Sequence, residues 1–224
     1  MLERDGDRPA DGSTALTVRG ARATDVARLY EICLRTGAAG SDATGRHDPL
    51  LLGDVYVGPY LALSPDLAFV LAGADDVAVG YVLGVADTTA FEERCDVEWW
   101  PGARERHPVG SATHPGDAEL VRLVHEPERT PSAVTADFPA HLHIDLLPEA
   151  QGSGGGRRLV EHLLAELRRR GVPGVHLGVD PENLRARGFY AHLGFRPVPA
   201  VTDPAAAASD PDAAAGHLLG LRLG

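Results

Sequence analysis

Lysine is absent from the 224 residues: all 21 basic side chains are arginines, so Schiff-base chemistry and acylation of the chain's own lysines are excluded. Cysteine is scarce, with Cys33 and Cys95 alone and no CxxC spacing, which gives neither a zinc site nor a disulfide framework and suits a reducing compartment. Long apolar runs are missing too. No stretch of about 18 apolar residues occurs that could span a bilayer, and "MLERDGDRPADGSTA" lacks the apolar centre of an export signal. The expectation is a cytoplasmic protein without membrane contact. Acidic side chains outnumber basic ones, 32 to 21, for a formal charge of -11. A surface of that sign opposes phosphate neutralisation, so nucleic acid is not an expected partner, and a cationic or amine-bearing one is favoured.

What remains is ordinary globular material, 44% hydrophobic, enough for one core. Residues 1–14 are expected to be a flexible tail and 15–224 a single domain. "LTVRGAR" reads as a strand leading to a helix capped by Thr24, with Asp25 in its first turn. "DPLLLGDVYVGPYLALSPD" reads as one short helix and an irregular connector. "LAFVLAG" and "VAVGYVLGVAD", separated by "ADD", predict an antiparallel hairpin. Residues 88–139 break the rhythm with two tryptophans and several prolines, and are expected to be an insertion with one or two short helices forming a lid or wall.

In "AHLHIDLL", His141, His143 and Asp145 alternate with Leu142, Ile144 and Leu146, a strand with one polar and one apolar face. "QGSGGG" follows and opens a long helix over 154–170, whose apolar side carries Leu159, Val160, Leu163, Leu164 and Leu167. "GVHLGVD" is a strand, "PENLRARGFYAHLG" a helix opened by Pro181, and "FRPVPA" a strand. "TDPAAAASDPDAAAG" is expected to be a flexible loop before a terminal hairpin strand, "HLLGLRL".

Four glycines in six residues between a strand and a helix suit an anion, because first-turn amides lack intrahelical acceptors and the helix dipole favours negative charge. No GKS or GKT ending supplies a P-loop lysine, and the strand comes too late for a dinucleotide fingerprint. The loop resembles the Q/R-x-x-G-x-G/A pattern of the GNAT superfamily of N-acetyltransferases, through Gln151, Gly154 and Gly156. "NLRARGFYAHLGF" resembles that family's later N-x-x-A-x-x-F-Y-x-x-x-G-F element. "LYEICLRTGAAGSDAT", "DPLLLGDVYVGPYL" and "FPAHLHIDLLPEAQ" are similar to the acetyltransferase-like C-terminal domain of O-GlcNAcase and its stand-alone bacterial relatives, over most of residues 28–199.

The resemblance implies an α/β (α+β) GNAT fold: a mixed, mostly antiparallel sheet splayed at the cofactor strand and flanked by helices, with the insertion between the third and fourth strands and the acetyl-CoA-binding core at 140–199. It implies direct acetyl transfer from acetyl-CoA to a primary amine of a small molecule or protein, and a possible homodimer. The amides of Gly152, Ser153, Gly154, Gly155, Gly156 and Arg157 would face the pyrophosphate, with Gln151 beside them. The backbone of Leu146 and Leu147, with Asn183, would hold the pantetheine arm, and Tyr190 would be the general acid. Gly155 is not required by the pattern. From the strand alternation, Asp145 is the first candidate base and His143 the second. No metal is expected, since H-x-H-x-D lacks the further ligands of a zinc or iron site. Asp42, Asp48, Tyr56, Tyr60, Glu98, Trp99 and Trp100 are candidate walls of the acceptor pocket. The alternative is a non-catalytic module that uses the same cleft to recognise a peptide or sugar.

Overall fold

The computed structural model describes residues 16–198 and 218–224. The expected tail at 1–14 and the whole alanine-rich loop, residues 202–216, lie outside them. Strands β1 (Thr17–Gly20), β2 (Ala68–Ala72), β3 (Ala78–Val85), β4 (Ala140–Leu146), β5 (Gly174–Gly178), β6 (Arg196–Pro197) and β7 (Leu218–Arg222) form one sheet in the order β1-β2-β3-β4-β5-β7-β6. Every neighbouring pair is antiparallel except β4 and β5. That parallel pair is joined only at Ala140 with Val175 and His141 with His176. Beyond His141 the two strands part, and the sheet is splayed there as the family resemblance implied.

The β2–β3 turn places Asp76 in the left-handed region, φ 62°. Arg19 and Arg22 both donate to its carboxylate. Helix α1 (Val26–Thr36) turns Leu29, Ile32, Cys33 and Thr36 inward. Thr24 does not cap it; Asp25 precedes its first turn, accepting from the Arg22 amide and, bidentately, from Arg19. The region expected to hold one helix holds two, α2 (Pro49–Tyr56) and α3 (Gly58–Leu63). The break falls at Val57, just before Pro59, which has no amide to donate to a continuing helix.

The insertion is more helical than its sequence suggested. Helix α4 (Thr88–Arg94) runs through one π turn, Cys95–Trp99, into α5 (Trp100–Arg106), and α6 (Asp117–His125) and α7 (Ser132–Thr135) follow. Trp100, Ala103, Leu120, Val121 and Val124 join the core formed by α1, α2 and Tyr81 of β3. A second core lies against α8 (Gly155–Arg169), where Leu159, Leu163 and Leu167 meet Leu71, Val82 and Leu142. The two-faced pattern of β4 follows: Leu142 serves the second core, while its polar residues face the first. Helix α9 (Leu184–His192) begins three residues later than Pro181, because the Asn183 side chain, accepting from the Ala186 amide, is its cap. Strand β6 is only two residues long, and β7 lies between β5 and β6. Among the described residues no helix is long and apolar enough to cross a membrane.

His141 is turned toward α3 and the insertion. Thr88 Oγ1 donates to the Pro139 carbonyl and lies 2.8 Å from His141 Nδ1, and the Tyr60 hydroxyl lies 2.8 Å from Nε2. Burial, with His176 and His143 nearby, pushes its pKa down to about 3. The folded chain therefore holds His141 neutral where the unfolded chain, with an ordinary value near 6.5, binds a proton. Stability is present above pH 6.5 and is lost as pH falls from there toward 3, by up to about 1.4 kcal/mol per pH unit for one site. Urea unfolding at pH 7.5 and pH 5 is expected to show a smaller loss for His141→Gln than for the wild type. Equal losses would remove His141 from the acid response.

Candidate functional site

The parting of β4 and β5 opens a cleft of about 730 Å³. Leu147 donates its amide to Val79 of the neighbouring strand. Since backbone groups alternate along a strand, those of Leu142, Ile144 and Leu146 point the other way, to the edge that β5 leaves uncovered. The Leu146 carbonyl there accepts from Gln151 Nε2 at 2.9 Å, and Gln151 Oε1 in turn accepts from Arg185 at 2.6 Å. Leu147 does not line the cleft: its side chain is buried and its amide is committed to β3.

At one end of the cleft lies the glycine loop. Gly152 and Gly154 have φ of 76° and 79°, a conformation only glycine adopts without strain. Ser153 Oγ donates to the Ala150 carbonyl and accepts from the Gly155 amide, which takes one first-turn donor of α8 out of play. The amides of Gly156 and Arg157 belong to the same turn, have no intrahelical acceptor and find none among the described residues. Gly156 and Arg157 line the cleft, and a Cβ on Gly156 would meet only ordinary contacts from 3.5 Å outward. The loop therefore presents unpaired N–H groups and a helix dipole to a roomy space, the donor set that a pyrophosphate requires.

Gly155 has a different reason. It is buried, and a Cβ there would lie 2.3 Å from Leu71 Cδ2, itself fully buried in β2. The glycine lets α8 start directly on the sheet; ligand approach is not what requires it. Gly155→Val is expected to destabilise the fold by about 1–3 kcal/mol through overpacking, read by urea unfolding, whereas Gly156→Ala should leave stability within about 1 kcal/mol.

The other end is built from α1, α2, β3 and β4. Tyr81 stands opposite Asp145 in the β3–β4 register and donates its hydroxyl to Asp145 Oδ2 at 2.5 Å. His143 Nε2 lies 3.1 Å from the same oxygen and 3.3 Å from the Tyr81 hydroxyl. Tyr56 stacks on the His143 ring with centroids 5.8 Å apart, and Cys33 of α1 closes the cluster. Burial pulls the His143 pKa down, but the Asp145 carboxylate at hydrogen-bond distance outweighs it and holds the imidazole well above its ordinary value. Near neutral pH His143 is thus a cation with no lone pair to offer, which weakens it as a base relative to Asp145. Tyr190, on α9, lines the cleft with 7% exposure; burial and the Asp145 charge raise its pKa, so the phenol stays protonated.

The cleft thus gathers Asp145, His143, Leu146, Gln151, Gly152, Gly154, Gly156, Arg157, Asn183 and Tyr190, and leaves out Leu147, Ser153 and Gly155. Of the expected pocket walls only Tyr56 lines it. Asp42 closes a turn onto Thr44, Asp48 caps α2, and Tyr60 binds His141. Glu98 pairs with Arg94 on the surface, Trp99 donates to the Asp54 carbonyl, and Trp100 is in the core. No residue of 88–139 lines the cleft. The insertion is a buttress behind α2 and α3, because its apolar positions are consumed in packing. Tyr81 and Cys33 escaped the sequence reading; Tyr81 comes beside Asp145 only through the β3–β4 pairing, which no local pattern announces.

The profile of the Acetyltransferase (GNAT) family matches residues 43–195. Rat (Rattus norvegicus) Protein O-GlcNAcase is 30% identical over 185 residues, which cover 81% of this chain and 20% of that protein. The chain thus spans about a fifth of the length of this curated relative. The crystal structure of SsHAT aligns with a TM-score of 0.80 at 39% identity, covering 94% of this chain and 99% of that one. The structure of yncA from Salmonella typhimurium, with its cofactor acetyl-CoA, aligns with a TM-score of 0.53 at 18% identity, over 94% of this chain and 95% of that one, a likeness of fold alone.

Proposed function

The chain belongs to the Acetyltransferase (GNAT) family, and from that premise we propose that its cleft moves the acetyl group of acetyl-CoA directly onto a primary amine. The observation that carries this reading is the sharing of one cleft by the glycine loop, the uncovered edge of β4, Asp145 and Tyr190. The first-turn amides of Gly156 and Arg157 bind the pyrophosphate. The backbone of Ile144 and Leu146 pairs with the amide-bearing pantetheine arm as a short extra strand. For Leu146 this displaces the Gln151 side chain, whose partner Arg185 is then free to meet a phosphate.

Transfer needs a neutral amine, and Asp145 is the proton acceptor. Its Oδ2 is held by Tyr81 and His143, which leaves Oδ1 for the amine. As the carbon–sulfur bond breaks, Tyr190 donates its phenolic proton to the departing thiolate; the two groups are of comparable basicity in their ordinary states. The acceptor, a small molecule or a protein, enters past Tyr56 and the neutral turn at Gly37, Ala39, Gly40 and Ser41. The protein works without membrane or nucleic acid, in the cytoplasm.

Isothermal titration with acetyl-CoA is the first test, and a dissociation constant below about 0.1 mM is expected. No binding at millimolar acetyl-CoA would leave a non-catalytic module for a peptide or sugar as the better reading. Given binding, release of free thiol across an amine panel identifies the acceptor. Tyr190→Phe should lower kcat by about 10²-fold, the lower end for a positioned proton donor, with little change in the acetyl-CoA dissociation constant; an unchanged kcat would remove Tyr190 as the proton donor.

A further inference from the structure

Cys33, His143 and Asp145 come from two elements far apart in sequence, yet one donor atom from each lies within 4.8 Å of the other two. We propose that these three side chains form a binding site for a thiophilic divalent cation, Zn²⁺, at the inner end of the cleft, and that the ion occupies it in competition with the amine acceptor. A tetrahedral zinc site with bonds of about 2.0–2.3 Å to S, N and O separates its ligand atoms by about 3.4–3.6 Å. The His143 Nε2 to Asp145 Oδ2 distance of 3.1 Å is already close to that. The sulfur, no more than 4.8 Å from either atom, has about 1.3 Å at most to move.

The donor set is selective. One thiolate, one neutral imidazole and one carboxylate suit zinc over magnesium or calcium, which take oxygen alone, and the ion binds by expelling the proton that the His143 imidazole holds in the free site. The ligands are also held from behind. Tyr81 donates to Asp145 and Tyr56 stacks on His143, which fixes both on a rigid strand, and Cys33 is buried on α1 at 2% exposure. All three residues line the cleft, so the fourth coordination position faces the space assigned to the amine. The missing CxxC spacing does not bear on such a site, because its ligands meet through the packing of α1 on β4. The kinetic consequence rests on the proposed acetyl transfer; the binding does not.

The test uses the full chain stripped with EDTA and titrated with ZnSO4 by calorimetry. One equivalent is expected to bind, with affinity falling on the order of 100-fold in Cys33→Ser and in His143→Gln. Cys95→Ser, which alters the other buried thiol, should bind as the wild type does. Circular dichroism and acetyl-CoA titration establish that each variant is folded. Loading the wild type with Co²⁺ gives a readout that needs no variant, a near-ultraviolet thiolate-to-metal charge-transfer band. Absence of stoichiometric binding, binding indifferent to Cys33→Ser, or a Co²⁺ spectrum without that band would each overturn the site. In the transfer assay, Zn²⁺ should raise the apparent KM for amine and leave that for acetyl-CoA unchanged; competition with acetyl-CoA instead would overturn the assignment of the open position. A chain that binds zinc but transfers no acetyl group would refute the proposed activity and leave the metal site standing.

Discussion

Asp145→Asn is expected to lower kcat/KM for the amine by about 10²–10⁴-fold, the range for loss of a positioned proton acceptor, while the dissociation constant for acetyl-CoA changes less than about threefold. Asparagine can still accept from the Tyr81 hydroxyl, so the β3–β4 pairing and the position of the side chain survive. What it cannot do is take a proton. The split between the two substrates matters, because Asp145 lies at the acceptor end and the amides that bind the pyrophosphate lie at the other. His143→Gln is the companion variant. If the imidazole serves only as a charged partner of Asp145, its loss costs less than loss of the carboxylate. A rank order with His143→Gln more severe than Asp145→Asn would move the base to His143 and sink the assignment. Pre-steady-state measurement of thiol release keeps the comparison on the chemical step if product release limits turnover.

How far that site could be read without coordinates depends on where each part lies in the chain. The segment from Leu142 to Arg157 is local: an alternating strand, a glycine turn and a helix start are set by neighbours within a few residues, and their patterns survive in the sequence. Tyr190 and Asn183 were legible through a spaced motif, although Asn183 serves in the fold as the cap of α9. Cys33 and Tyr81 reach the site only through tertiary packing of α1 and through strand register, which depends on a pairing no local pattern specifies. The reverse error has the same root. Trp99, Trp100 and Glu98 looked like a pocket wall because aromatic and acidic side chains are common in binding sites, but the insertion uses the two tryptophans to pack and leaves Glu98 on the surface with Arg94. Gly155 looked like part of the ligand loop and is needed by Leu71, a contact between residues 84 positions apart.

The buttress has one polar keystone, and its removal is the largest stability effect expected. Asp54 of α2, 5% exposed, accepts from the Tyr30 hydroxyl at 2.8 Å, from Arg106 Nε at 2.8 Å and from His107 Nε2 at 2.9 Å, while its carbonyl accepts from Trp99 Nε1. One carboxylate thereby ties α1, α2 and the end of α5 together. Asp54→Ala leaves buried donors without an acceptor, and breaking such a group from one side costs about 3–5 kcal/mol. Arg106 is half exposed and can turn to water, so the expected loss is at the lower limit, about 3 kcal/mol. Tyr30→Phe, which removes one donor and leaves the carboxylate two partners, should cost about 1 kcal/mol. The double variant should be more stable than the sum of the two losses implies, because both act on one network. Urea unfolding of the four proteins measures all three quantities, and a loss below 1 kcal/mol for Asp54→Ala would show that the insertion is held by its apolar contacts alone. The effect also has a direction along the cleft. Helices α1 and α2 carry Cys33 and Tyr56 to the acceptor end, whereas the glycine loop and α8 rest on the opposite core. Loosening Asp54 should therefore raise KM for the amine before it touches KM for acetyl-CoA, and the reverse order would mean that the two cores are mechanically coupled through the sheet.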